Sequence, residues 1–279
     1  MNTSILRRSK SETVFRSASP LSNETLLHYA PSVGAASAHA DRSERYTYIP
    51  TLAVVDGLRK EGFMPFEVRQ TKCRSLDRRD YTKHLLRLRH ESMITAARDQ
   101  EVPEIVLLNS HDGTSSYRLM GGVFRLVCEN GMIAGNIHDD VCIRHSGNVV
   151  DEVIEGSYRV LDDLKEIGSR IADYKSTALT RGEQMAFANA ALQLRWEEGK
   201  APVLPEQIIA PQRYADRGTD LWTTFNVAQE RLVKGGVRGR GATGRRMTTR
   251  EVGGVTENVR LNRALWTLAD QLAKLKQAA

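Results

Sequence analysis

The chain has 279 residues, 41% apolar and 27% charged, with a net charge of +6. That composition describes a globular protein of one or two domains with enough length to bury a sizeable core. No apolar run approaches the ~20 residues of a membrane span and the N-terminal segment lacks the apolar core of a secretory signal, so a cytoplasmic protein without a membrane partner is expected.

Residues 1 to about 45 are rich in Ser, Ala and charge, which predicts a disordered or weakly ordered tail, with room for a short helix or strand around 24–29. Residues 46–279 read as a single α+β domain. Thr51 is expected to cap a short helix carrying Leu52, Val55 and Leu58 and ending at Gly62. The period then changes to two. Strands are predicted at 63–69, with Pro65 at a strand start or sheet edge, and at 85–90, where Leu86-Arg87-Leu88-Arg89 alternates. Residues 105–108 read as a buried strand. Residues 117–128 also fit a helix, but Gly121-Gly122 favours a bent strand. Asn130-Gly131 reads as a hairpin turn into a return strand, with one more strand at 141–144.

Helical spacing then takes over, at 150–171, from a capping box at Thr180 to Trp196, at 219–233, and through Leu261 to Leu275. Pro202, Pro205 and Pro211 mark a loop, and a Gly/Arg-rich loop is expected at 234–250. The fold class is α+β, a twisted antiparallel sheet from the N-terminal half packed by helices from the C-terminal half.

Polar residues gather at two strand ends. Asn109-Ser110-His111-Asp112-Gly113 closes one apolar run, and Arg125, Cys128 and Asn130 close another. If those strands pair, the groups would converge at one rim. There His111 is a general acid or base oriented by Asp112, Cys128 a nucleophile, and Arg125 a clamp for an anionic group. Turn chemistry is the competing reading of the first motif, because Asx and Ser side chains satisfy loop amides and Gly113 supplies a positive φ. His138, Asp139, Asp140, Cys142 and His145 are metal-ligand types. No second CxxC or HxxxH completes a tetrahedral set, so neither a metal nor another cofactor is expected.

Cations cluster twice. Lys234-Gly235-Gly236-Val237-Arg238-Gly239-Arg240-Gly241-Ala242-Thr243-Gly244-Arg245-Arg246 holds five cations, five glycines and no acid. Arginine forks suit phosphate oxygens, and RGG-like segments bind single strands; a solvated linker is the alternative. The second cluster includes Arg87 and Arg89, which share one strand face suited either to a polyanion or to plain solvation. Tyr117 and Trp222 are candidate stacking platforms.

Asn109-Ser110-His111-Asp112-Gly113, Arg125-Leu126-Val127-Cys128-Glu129-Asn130-Gly131, His145-Ser146-Gly147-Asn148 and Gly235-Gly236-Val237-Arg238-Gly239-Arg240, in that order, resemble a phage- and plasmid-encoded family. It is classed as a domain of unknown function (the 932 family). The resemblance covers roughly residues 45–275. It implies an accessory protein of mobile genetic elements and supports Asn109, Ser110, His111, Asp112, Arg125, Cys128, Asn130 and His145 as a polar site, without assigning roles. The leading expectation is a DNA-binding protein, with single strands preferred, in replication, recombination or strand annealing. Lys234, Arg238, Arg240, Arg245, Arg246, Arg87 and Arg89 would make the contacts. An enzyme using the polar site and an interaction protein directed against host defence are the alternatives. A homo-oligomer is left open.

Overall fold

The computed structural model describes residues 4–8, 12–42, 46, 48–93, 101–125, 130–134, 141–143 and 149–278. The chain divides into two compact units, Met1–Met132 with His138–Leu164 and Gly253–Val255, and Ile133–Ile137 with Lys165–Val252 and Thr256–Ala279.

The first unit is built on an antiparallel sheet. Its strands are β1 (Ser4–Arg8), β2 (Glu12–Ser17), β3 (Phe63–Thr71), β4 (His84–His90), β5 (Glu101–Asn109), β6 (Tyr117–Arg125) and β7 (Asn130–Ile133), neighbours in that order. A further strand, β8 (Val141–Ile143), pairs with the start of β6. Alternation sorts the side chains. On one face Val68, Leu86, Leu88, Ile105, Leu107 and Leu119 form a core. Against them lie Leu26 of α1 (Asn23–Tyr29), Val54, Val55 and Leu58 of α2 (Thr51–Lys60), and Val153 and Val160 of α3 (Val149–Ser176). Each fully buried Leu or Val in such a layer contributes about 1.5–3 kcal/mol.

Residues 4–34, read as part of a weakly ordered tail, instead carry β1, β2, α1 and a 3-10 turn at Pro31–Gly34. Ser22 caps α1 by accepting from Thr25 N at 3.2 Å, and Leu26, Ala30 and Val33 are completely buried. The pairing partner of β2 is β3, some fifty residues on, so the local sequence lacks a periodic signal.

Three further expectations change in detail. Thr51 is the first residue of α2 rather than its cap, and Pro50 precedes it without a side-chain cap. Pro65 does lie near the start of β3, but β3 is interior to the sheet, and a bulge between Pro65 and Glu67 accommodates it. Asn130-Gly131 belongs to β7 rather than to a turn. A Cβ on Gly131 would stand 2.5 Å from the Arg87 guanidinium carbon, so the strand passes against that side chain only because residue 131 is glycine.

The second unit is helical. α4 (Arg181–Gln193) opens with the Thr180–Glu183 capping box, and α5 (Pro205–Ile208) is a single turn. α6 (Leu221–Lys234), capped by Asp220, is buried everywhere except Arg231 and Lys234. Tyr174, Trp222, Phe225 and Trp266 of α7 (Val255–Ala278) pack as an aromatic cluster with centroids 5.7–6.5 Å apart. Arg170 donates to Asp270 at 2.6 Å. The expected glycine-arginine loop contains a β-hairpin, β9 (Arg238–Arg240) with β10 (Arg246–Thr248). Among the described residues, no helix is long and apolar enough to cross a membrane.

Candidate functional site

Asn109 ends β5, and Ser110, His111 and Asp112 lead into the connection to β6. Ser110 Oγ accepts from Ser115 N at 2.9 Å, and the Asp112 carboxylate accepts from Thr114 N at 3.0 Å and Thr114 Oγ1 at 2.6 Å. Gly113 has φ +73°. Ser110, Asp112 and Gly113 are therefore turn residues, and Asp112 faces Thr114 rather than orienting His111.

Asn109 and His111 turn inward. Asn109 Nδ2 donates to Thr51 Oγ1 at 2.9 Å, and the same oxygen meets His84 Nε2 at 3.0 Å and His111 Nε2 at 3.4 Å. One hydroxyl has one proton and two lone pairs. With Asn109 on one lone pair, one imidazole must present an N–H and the other a bare nitrogen. His84 Nδ1 lies 2.9 Å from Ser32 Oγ. Burial, and the neighbouring His111, push the His84 pKa down to about 3. Thr51, His84, Asn109, His111 and Ser32 are all completely buried, so this cluster is a closed polar lock between α2 and the sheet end. Thr51, His84 and Ser32 were not legible as site residues. The available signal was His84, a polar residue in register with the apolar face of β4.

The two polar strand ends do not converge. Antiparallel pairing sets Glu101 opposite Arg125, while Asn109 lies at the far end of the same strand. Eight residues of extended chain separate them by about 27 Å. The constellation of His111 and Asp112 with an Arg125 clamp is therefore split. Cys128 and His145 lie outside the described residues, as do the side chain of Asn130, residues His138, Asp139 and Asp140, and the side chain of Cys142.

Arg87 and Arg89 do share a sheet face, but it is an interior one. They are 1% and 7% exposed. Arg87 Nη1 donates to Glu104 Oε2 at 2.9 Å and to Met132 O at 3.2 Å, and Arg89 Nε donates to Glu104 Oε1 at 2.8 Å. The Arg89 guanidinium lies 4.5 Å from the ring centroids of both Phe66 and Phe124. Glu67 takes Arg69 Nε and Arg16 Nε, each at 2.5 Å. Burial pushes the Glu67 carboxyl up, but Arg16, Arg69 and Arg87 outweigh it and hold it well below the usual carboxylate range. Burial likewise lowers the Arg87 pKa, against the pull of Glu104 and Glu67. These arginines are neutralised structural groups, unavailable to a polyanion. The proposed stacking platforms fail for the same reason, because Tyr117 is completely buried and Trp222 is 2% exposed. Lys234 is tied to Glu230 at 3.0 Å, which Arg213 also clamps.

The remaining predicted cations differ. Arg238, Arg240, Arg245 and Arg246 are all exposed on the β9–β10 hairpin. Arg246 pairs with Arg240 across the hairpin and Thr248 with Arg238, so the three arginines Arg238, Arg240 and Arg246 project from one face. Gly241 N donates to Arg245 O at 2.9 Å, and Gly244, with φ +74°, turns the tip. Arg240 N donates to Pro202 O at 2.8 Å, and Gln207 Nε2 to Arg238 O at 2.8 Å, which ties the hairpin to the 202–207 segment. The approach is so close that a Cβ at Gly239 would stand 1.9 Å from Pro202 O.

Between hairpin and segment lies a groove of about 750 Å³. Pro202, Val203, Leu204 and Met247 give it an apolar wall, and Arg238, Arg240 and Arg246 rim it. Among the described residues that line it, none is acidic. Leu204 and Met247 remain 65% and 41% exposed, so part of the groove lining is apolar surface open to water. The arginine cluster was legible in the sequence. Its apolar counterpart, forty residues earlier in a proline-rich stretch, was not. Among the described residues, no group of three or more His, Cys, Asp or Glu could hold a metal ion.

The sequence model of the family described as "Domain of unknown function (DUF932)" matches residues 38–266. Two Escherichia coli (strain K12) proteins, UPF0380 protein YfjQ and UPF0380 protein YafZ, are each 48% identical over 253 residues. Those residues are 91% of this chain and 92% of each relative. No solved structure matches the chain.

Proposed function

The chain belongs to the DUF932 family, whose description carries no activity, and from the geometry we propose that it binds nucleic acid, with single-stranded DNA as the preferred form. The observation that carries this reading is the hairpin groove, whose lining holds Arg238, Arg240 and Arg246 together with Pro202, Val203, Leu204 and Met247, and no acid among the described lining residues. Guanidinium forks pair bidentately with phosphate oxygens. Unstacked bases can lie on Pro202, Leu204 and Met247, whereas the bases of a duplex are already stacked inside it. The role in view is an accessory one in replication, recombination or strand annealing of a phage- or plasmid-like element. That context rests on the sequence resemblance, and the binding mode rests on the groove.

The test is fluorescence anisotropy of labelled single- and double-stranded oligonucleotides at low salt. The intact chain is expected to bind the single strand more tightly, and Arg238→Gln/Arg240→Gln/Arg246→Gln to abolish that binding without changing the unfolding midpoint. Absence of binding to either form at low salt would end this reading.

A further inference from the structure

A second concavity lies in the sheet-bearing unit, where the end of α1 meets the ends of β2 and β3. Its cavity of about 370 Å³ is lined by Thr13, His28, Tyr29, Lys72, Cys73 and Arg79, among others, and no carboxylate is found among its described lining residues. That volume is in the range of small-ligand pockets and leaves room beside a phosphate for a sugar or a base. Residues with nitrogen-bearing side chains line it from three separate elements. His28 comes from the last turn of α1, Lys72 from just beyond β3, and Arg79 from a 3-10 turn at Arg79–Tyr81.

The back of this cavity is preorganised. Gln70, buried and opposite Thr13 across the sheet, accepts from Ser32 N at 3.1 Å and donates to Arg79 O at 2.8 Å and Thr82 Oγ1 at 3.1 Å. The main chain that carries Arg79 is thereby tied to the sheet. The Tyr29 ring is stacked on Phe15 with centroids 4.0 Å apart and an interplanar angle of 6°, so it forms a fixed aromatic wall.

We propose that this cavity binds a nucleoside phosphate monoester, with Lys72 and Arg79 on the phosphate and Tyr29 beside the nucleoside. A monoester carries between one and two charges at neutral pH, more than the single charge of a backbone diester, and two cations on separate elements match it. A free mononucleotide and the 5′-phosphorylated end of a strand present the same chemistry. The site belongs to the other unit from the hairpin groove and does not depend on it.

The test titrates the full chain with AMP, adenosine and inorganic phosphate by calorimetry, while mass spectrometry follows alkylation of the exposed Cys73 thiol at the cavity mouth. AMP is expected to bind and to slow alkylation of Cys73, and adenosine to do neither. Lys72→Ala/Arg79→Ala is expected to weaken AMP binding by about tenfold or more. Arg238→Gln/Arg240→Gln is expected to leave AMP binding unchanged, which separates this site from the groove. In that hairpin variant, tighter binding of a 5′-phosphorylated oligonucleotide than of its 5′-hydroxyl twin assigns the strand end, and equal binding of the two assigns the free nucleotide. Failure of both AMP and phosphate to bind at millimolar concentration overturns the proposal. So does AMP binding that survives the Lys72/Arg79 change, or adenosine binding as tightly as AMP.

Discussion

Arg87 and Arg89 stand inside the curl of the sheet, each held by Glu104 and closed over by Phe66, Phe124 and the β7 backbone. Arg238, Arg240 and Arg246 stand on a hairpin with no acid among the described residues of their groove. The residue type is the same and the sequence spacing is the same, every second position on a strand. The difference is what lies across from each strand. Facing glutamates and a glycine strand convert the first set into a buried ion lattice, whereas an apolar segment tied on through Gly239 leaves the second set's charge facing solvent. Arginine density alone therefore does not define an anion-binding surface; the missing counter-charge does.

The sharpest break between the two sets is in stability. Arg87→Met leaves Glu104 and Glu67 buried with fewer partners and is expected to cost about 3–5 kcal/mol in denaturant unfolding. Arg238→Gln should stay within about 0.5 kcal/mol. Equal effects from the two substitutions would erase the distinction. Adding Glu104→Leu to Arg87→Met should not recover the loss, because it removes the carboxylate that buried Arg89 also uses.

A smaller effect is expected from Gly239→Val, which keeps every arginine. Its side chain would collide with Pro202 O, lift the hairpin from its segment and cost about 1–3 kcal/mol. Oligonucleotide binding should fall with it. Retained affinity would show that the arginines act without the apolar wall.

The closed polar cluster gives a pH dependence of its own. The folded-state pKa of His84 is depressed to about 3 from an ordinary 6.5, so only the unfolded chain takes up its proton between those values. The stabilisation is fully present above 6.5 and is lost progressively as pH falls from there to about 3. The slope is at most ~1.4 kcal/mol per pH unit. Unfolding curves at pH 7.5 and 5 measure it, and His84→Gln should flatten the dependence. An unchanged slope in that variant would place the titrating group elsewhere.

The fold was legible wherever pattern and partner are close in sequence. Alternation in Leu86-Arg87-Leu88-Arg89 marks β4, and the Thr180–Glu183 box marks α4. It failed at β2, which pairs with β3 some fifty residues away, and at β1, which builds on β2 in turn. The candidate site was half legible. The arginines of the hairpin are conspicuous, but Pro202 to Leu204 become a wall only through the Gly239 approach. His111 and Arg125 look alike as strand-end polar groups, and only antiparallel register reveals that one β-strand length separates them.

The central claim is that charge on the hairpin, and not on the sheet, meets phosphate, and the salt dependence of single-strand binding tests it most directly. Each arginine–phosphate pair removed should lower the slope of log affinity against log salt by about 0.7 on a single strand. Replacing Arg238, Arg240 and Arg246 one by one should therefore reduce the slope stepwise. Slopes that stay at the wild-type value through all three substitutions would contradict the account.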